Sequence, residues 1–114
     1  MAIFHATKDN FDQLLNTDYA IVDFYGTFCG ACVELAPIYT AASNDYGVLR
    51  FIKVNTSDER ELGERFDIHY IPTTVYFRNG QEVRRAVGSM DRETLDKMIA
   101  SLLYEYPAPE LKDE

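Results

Sequence analysis

Ala20-Ile21-Val22-Asp23-Phe24-Tyr25-Gly26-Thr27-Phe28-Cys29-Gly30-Ala31-Cys32 joins a near-continuous apolar run to two cysteines three residues apart, the only cysteines in the chain. A run of that length suggests a strand buried on both faces. Behind the cysteines, Leu35, Ile38, Tyr39 and Ala42 recur at helical spacing, with Pro37 expected to remove one hydrogen bond and bend the axis, and Gly47 ends the segment. The pair therefore sits where a strand stops and a helix begins. Unpaired backbone N–H groups and the positive end of the helix dipole stabilise a thiolate there, which makes Cys29 the expected nucleophile. Cys32 follows one turn later, close enough to close a disulfide with Cys29 and release a partner held as a mixed disulfide.

Other uses of two cysteines fit less well. A structural zinc site needs about four ligands, and His5 and His69 lie at spacings that suit no ordinary finger or ribbon, so no metal is expected. Covalent haem attachment would need His directly after the second cysteine, where Val33 stands. A purely structural disulfide across so short a loop removes little chain entropy. An exchangeable pair is favoured.

Outward from this stretch, helical and strand-like periods alternate. Ile3 to Ala6 reads as an edge strand, and Phe11, Leu14 and Leu15 share one face of a short helix. Val48 to Asn55 reads as a second central strand, and the charged stretch Asp58 to Phe66 as a solvated helix. Thr73 to Phe77 and Glu82 to Val87 flank Asn79-Gly80, a pair that supplies the positive φ angles of a tight hairpin turn. Leu95, Met98, Ile99, Leu102 and Leu103 mark one face of a last helix from Asp91 to Tyr104. Parallel strands with crossover helices, followed by a hairpin, give an α/β fold: a central mixed sheet flanked by helices on both faces.

The 114 residues, 46% hydrophobic and 26% charged, supply one core and too few residues for two. A net charge of -8 argues against nucleic acid and anionic membrane as partners, since both repel the protein's field. Met1 to Asn10 carry no basic stretch leading into an apolar core, and no run approaches the roughly 20 apolar residues that span a bilayer. A cytoplasmic protein is expected, where a redox-active disulfide is more ordinary than a structural one.

Taken in order, Ile21-Val22-Asp23-Phe24-Tyr25, Phe28-Cys29-Gly30-Ala31-Cys32, Ala36-Pro37, Lys53-Val54-Asn55, Tyr70-Ile71-Pro72-Thr73, Phe77 with Asn79-Gly80, and Val87-Gly88 resemble the thioredoxin family in residues and spacing. The resemblance covers residues 1–103 and implies a thioredoxin-like domain there; residues 104–114 are read as an acidic C-terminal extension. It also implies that Pro72 is a cis proline across from the cysteine pair. On sequence alone, an ordinary trans proline at a strand start would be preferred. With Ile71, Pro72 would dock an extended substrate segment like an added strand, and Val87 and Gly88 would complete the groove. Phe28, Gly30 and Ala31 would border it.

Asp23 interrupts the apolar strand, so its carboxyl should be desolvated and its pKa raised. By resemblance it exchanges a proton with Cys32; an ion pair with Lys53, the matching lone charge in Phe51-Ile52-Lys53-Val54, is compatible with that role. His69, near the proline loop, is read as a surface residue. The chain departs from the family in having no Trp, with Phe28 and Tyr25 in the places where Trp is usual, and in having Gly30-Ala31 where Gly-Pro is common. Ala31 leaves the reducing strength open. The resemblance implies a thiol-disulfide oxidoreductase that reduces disulfides in other proteins through Cys29 and Cys32. It would need no bound cofactor, would be re-reduced by a separate thioredoxin reductase, and would act as a monomer. A less reducing pair would make it an oxidase or isomerase. The alternative from another class is a non-catalytic binding module that uses the groove beside Pro72.

Overall fold

Tyr19 to Phe24 are all buried, because they form the middle strand of a five-stranded sheet covered on both sides. The computed structural model describes residues 3–108. In chain order these residues form β1 (Ile3–His5), α1 (Phe11–Leu15), β2 (Tyr19–Tyr25), α2 (Gly30–Asp45), β3 (Arg50–Asn55), α3 (Arg60–Arg65), β4 (Thr73–Arg78), β5 (Gln81–Val87) and α4 (Arg92–Glu105). The strand order is β1-β3-β2-β4-β5, with β3 parallel to both β1 and β2, and β4 antiparallel to both β2 and β5. This is the mixed sheet with helices on both faces that the periodicity predicts.

The period of two in β2 divides the core. Tyr19 and Ile21 join Leu35, Tyr39 and Ala42 of α2 and Leu95, Ile99 and Leu102 of α4 in one cluster. Ala20, Val22 and Phe24 face the other way, toward Phe11 and Leu15 of α1 and Leu62 of α3. Asp23 therefore belongs to the face covered by α2. Asn79 and Gly80, with φ of 54° and 81°, make the two-residue turn between Arg78 and Gln81.

Several boundaries differ from expectation by one or two residues, among them the starts of β3 and α3 and the end of α4. β3 begins at Arg50 instead of Val48, because the Leu49 amide donates back to the Tyr46 carbonyl in a turn and Val48 is exposed. α3 begins at Arg60, because Asn55 holds a preceding turn: its carbonyl accepts from the amides of Asp58 and Glu59, and its side-chain oxygen from that of Ser57. α4 continues to Glu105, one residue past Tyr104, where the helix was expected to end. Beyond that helix the Tyr19 hydroxyl donates to the Tyr106 carbonyl at 2.6 Å, and Ala108 is buried in the α2/α4 cluster. Residues 109–114 of the expected extension lie outside the described residues.

Helix α2 continues through Pro37 and is fastened at both levels that matter for the site. At its far end, Arg92 of α4 pairs with Asp45 and Asp96, and Asp96 accepts from the Tyr46 hydroxyl. In its middle, the buried Tyr39 hydroxyl is shared between the carbonyls of Ile52 (2.8 Å) and Ile21 (3.0 Å) on the sheet. Tyr39→Phe should therefore cost about 1–2 kcal/mol of stability by leaving buried carbonyls without this donor. Urea unfolding of the oxidised protein measures it; no shift in midpoint would show that the bond carries no net stability.

Candidate active site

Cys29 is the N-cap of α2, with extended backbone (φ -126°, ψ 107°), and its Sγ accepts from the Cys32 amide at 3.2 Å. The helix starts there because β2 has just left the sheet and the first-turn N–H groups need acceptors. The two cysteines form a disulfide, with their Cα atoms 5.2 Å apart. Cys29 is half-buried and Cys32 buried. An approaching sulfur therefore meets Cys29 first, while Cys32 shares the buried stripe of α2 with Leu35, Tyr39 and Ala42.

Facing the pair is the loop before β4. The Ile71–Pro72 bond is cis, and the Ile71 carbonyl lies 3.8 Å from Cys29 Sγ. The Gly88 amide donates to the Pro72 carbonyl at 2.7 Å, which brings the end of β5 to the same place. Gly88 has φ of 99°, and a Cβ placed there would touch nothing within 4 Å. Glycine is needed at this position for its backbone conformation, and the space above it is open. Around the pair, Phe28 is fully exposed with φ of 55°, and Val33, Tyr70, Ile71 and Val87 are exposed as well. Gly30 and Ala31 form the first turn of α2.

Beneath this surface Asp23 is 1% exposed, and neither of its carboxyl oxygens has a hydrogen-bond partner among the described residues. Its neighbours across the sheet are Lys53 on β3 and Thr74 on β4. Lys53 Nζ is 3.9 Å from Asp23 Oδ2 and 4.5 Å from the centroid of the Tyr25 ring. Burial pushes the Asp23 pKa up to about 6, and the Lys53 charge only partly opposes it. Burial, and then the Asp23 charge, hold the Tyr39 phenol well above its ordinary range. Burial also pushes Tyr76 to about 12, so both phenols stay neutral.

The sequence-identified residues thus fall into two tiers. Cys29, Cys32, Gly30, Ala31, Phe28, Ile71, Pro72, Val87 and Gly88 come together at the ends of β2, β4 and β5, with Asp23 and Lys53 below. His69 stays on the surface, with Nε2 2.9 Å from Asp67. Sequence reading missed Gly26, where a Cβ would come within 2.6 Å of the Ile71 side chain. It also missed Thr74, whose hydroxyl donates to Tyr76; hairpin register would have found it, since Thr74 opposes Asp23. Among the described residues no group of three or more His, Cys, Asp or Glu could hold a metal ion, and no helix is long and apolar enough to cross a membrane.

The comparisons agree with this geometry. The thioredoxin family model matches residues 2–101. A thioredoxin of Staphylococcus saprophyticus is 32% identical over 100 residues, spanning 87% of this chain and 96% of that one. A thioredoxin of Chlamydia muridarum is 31% identical over 94 residues, spanning 82% and 92%. The crystal structure of oxidised mitochondrial thioredoxin 3 from Saccharomyces cerevisiae superposes with a TM-score of 0.80 at 27% identity, spanning 88% and 95%. The matched residues 2–101 take in all five strands and the cysteine-bearing turn, and the chain belongs to the thioredoxin family.

Proposed function

We propose that this protein reduces disulfides in other proteins, with Cys29 as nucleophile, Cys32 as resolving thiol and Asp23 as the group that takes the Cys32 proton. As a thioredoxin family member with a close cysteine pair it is a thiol-disulfide oxidoreductase; the direction of transfer and the residue roles are the proposal. The observation that carries it is Cys29 Sγ at the head of α2, half-buried and accepting the Cys32 amide, where a thiolate gains both a hydrogen bond and the helix dipole.

In the reaction, the Cys29 thiolate attacks one sulfur of the substrate disulfide. That bond breaks, a mixed disulfide forms, and the other substrate sulfur leaves as a thiolate and takes a proton from water. Cys32 gives its proton to Asp23 and attacks Cys29 Sγ; the second substrate sulfur leaves, and the Cys29–Cys32 disulfide remains. Two electrons have passed to the substrate. A carboxyl of pKa about 6 suits this task, because it is mostly ionised at neutral pH yet basic enough to hold a proton briefly. Lys53 supports the ionised form. The cis Ile71–Pro72 backbone, Val87 and Gly88 would align the substrate as an extended segment, bordered by Phe28, Gly30 and Ala31.

The redox group is the disulfide itself, and no cofactor takes part in these steps. Thioredoxins in general act on disulfide-bearing proteins and are served by reductases; for this chain we infer a thioredoxin reductase as electron donor, a cytoplasmic setting, a monomer, and an extension after the domain.

The direction is tested by poising the protein in graded dithiol buffers and counting free thiols. The expected result is a potential well below the cytosolic glutathione poise, each ~30 mV being a tenfold change in the equilibrium; a potential at or above that poise would make the protein an oxidase or isomerase. Cys32→Ser should trap a Cys29 mixed disulfide with a protein substrate, stable to non-reducing electrophoresis, whereas Cys29→Ser should trap none. Trapping through Cys32 would reverse the assignment.

Asp23 has two signatures. Its folded pKa of about 6 lies above its ordinary value of 3.8, so the folded state holds the proton more tightly than the unfolded chain. The Asp23 contribution to stability is greatest below pH 4 and falls as pH rises from about 4 to about 6. At ~1.36 kcal/mol per unit, the penalty above that window is about 3 kcal/mol. Asp23→Asn should be more stable than the parent by up to that amount at pH 7 and equal to it near pH 4. The same variant should slow resolution of the mixed disulfide on the order of 10²-fold at pH 7 and lose the inflection near pH 6. Stabilisation with an unchanged rate profile would leave Asp23 without the proton-transfer role.

A further inference from the structure

A cavity of 260 Å³ opens between the second turn of α2 and the segment joining β5 to α4, lined by Glu34, Ile38, Ser89, Met90 and Asp91. It adjoins the site just described. Glu34 follows Cys32 by two residues, and Ser89 follows Gly88, whose amide is bonded to the Pro72 carbonyl. Ile38 and Met90 give it an apolar wall; Glu34 and Asp91 bring two carboxylates, and Ser89 a hydroxyl. Of the cations nearby, Arg92 is held by Asp45 and Asp96, whereas Lys97, paired with Glu93, also reaches Asp91 with its charge. Asp91 caps α4 by accepting the Thr94 amide at 2.9 Å, and the Thr94 side chain, followed by that amide, lowers its pKa and keeps it ionised.

We propose that this cavity binds a lysine or arginine side chain of the substrate protein, close in its chain to the disulfide being reduced. The match is chemical. Long basic side chains lay an apolar stem along apolar surface and carry a head that only donates hydrogen bonds, and this cavity pairs an apolar wall with acceptors. An acidic substrate side chain would meet two carboxylates and the field of a protein of net charge -8, so the subsite also rejects. A disulfide held against Cys29 places its flanking residues at the edge formed by Gly88 and Ser89. The inference rests on the reading that Cys29 and Cys32 reduce protein disulfides.

The test uses two cystine peptides that differ only in Arg or Gln beside one cysteine, and reads the ratio of their kcat/KM. The ratio for the parent protein should be about three- to tenfold in favour of Arg at low ionic strength and should fall toward one in ~0.5 M salt. In Glu34→Gln/Asp91→Asn, where Asn retains the helix cap, the ratio should drop below about two. Glu64→Gln removes one charge from α3 on the opposite face of the sheet and should leave the ratio unchanged. Equal rates on both peptides would overturn the subsite while leaving the reductase reading intact. An equal drop in the Glu64 variant would assign the preference to overall charge and overturn it too. Failure to reduce either peptide would remove the reading on which the subsite depends, and the subsite with it.

Discussion

Burial of β2 on both faces is the constraint on which the rest depends. A strand covered on two sides must find partners on both edges and helices on both faces, and β3, β4, α2 with α4, and α1 with α3 supply them. The same burial decides where reactivity can sit. Side chains within β2 are sealed from solvent, so chemistry with a partner protein is possible only where the strand ends and the chain turns into α2. That turn carries the cysteines, and the sealed strand beneath carries one polar side chain, Asp23.

Around Asp23, two electrostatic effects oppose each other. A cation about 4 Å from a carboxylate is worth about 4 kcal/mol at an effective dielectric near 20, enough by itself to lower the pKa by about three units. Lys53 sits at 3.9 Å, yet the Asp23 pKa rises to about 6, so desolvation outweighs the pair. The reason is visible in the hydrogen bonding. Neither carboxyl oxygen has a hydrogen-bond partner among the described residues, Tyr39 spends its hydroxyl on two strand carbonyls, and Tyr76 accepts from Thr74. Local dipoles that could have solvated the charge are engaged elsewhere, which keeps the carboxyl basic near neutral pH. A hydrogen-bonded Asp23 would be more stable and a poorer proton acceptor.

Much of this was legible in the sequence because it is written in short-range patterns. Ala20 to Tyr25 announced a central strand, Asn79-Gly80 a hairpin turn, and Leu95 to Leu103 a buried helical face; the cysteine pair followed from its place between strand and helix. The lone polar residue in a buried run marked Asp23, and the matching charge marked Lys53. Less visible were features that depend on contacts far apart in the chain. Gly26 reads as an ordinary turn glycine until the Ile71 side chain is placed against it, 45 residues on. Pro72 reads as a trans proline unless the whole series of motifs is weighed together. The start of α3 shifted by two residues because Asn55 offered the backbone a competing turn.

The site also solves a problem of its own making. The proposed recognition through the backbone of Ile71 and Pro72 would be indifferent to substrate sequence, and the exposed Phe28, Val33, Tyr70, Ile71 and Val87 offer apolar area to any partner. Such a surface would equally suit a second copy of the chain. The net charge of -8 opposes that encounter, because two copies repel while a partner with basic residues is drawn in. Charge at the rim can therefore separate substrates that the backbone groove alone would treat alike. Under the proposed function the cysteines supply the chemistry and the groove the alignment, and in the proposed subsite the carboxylates nearest the groove would decide which partners stay long enough to react.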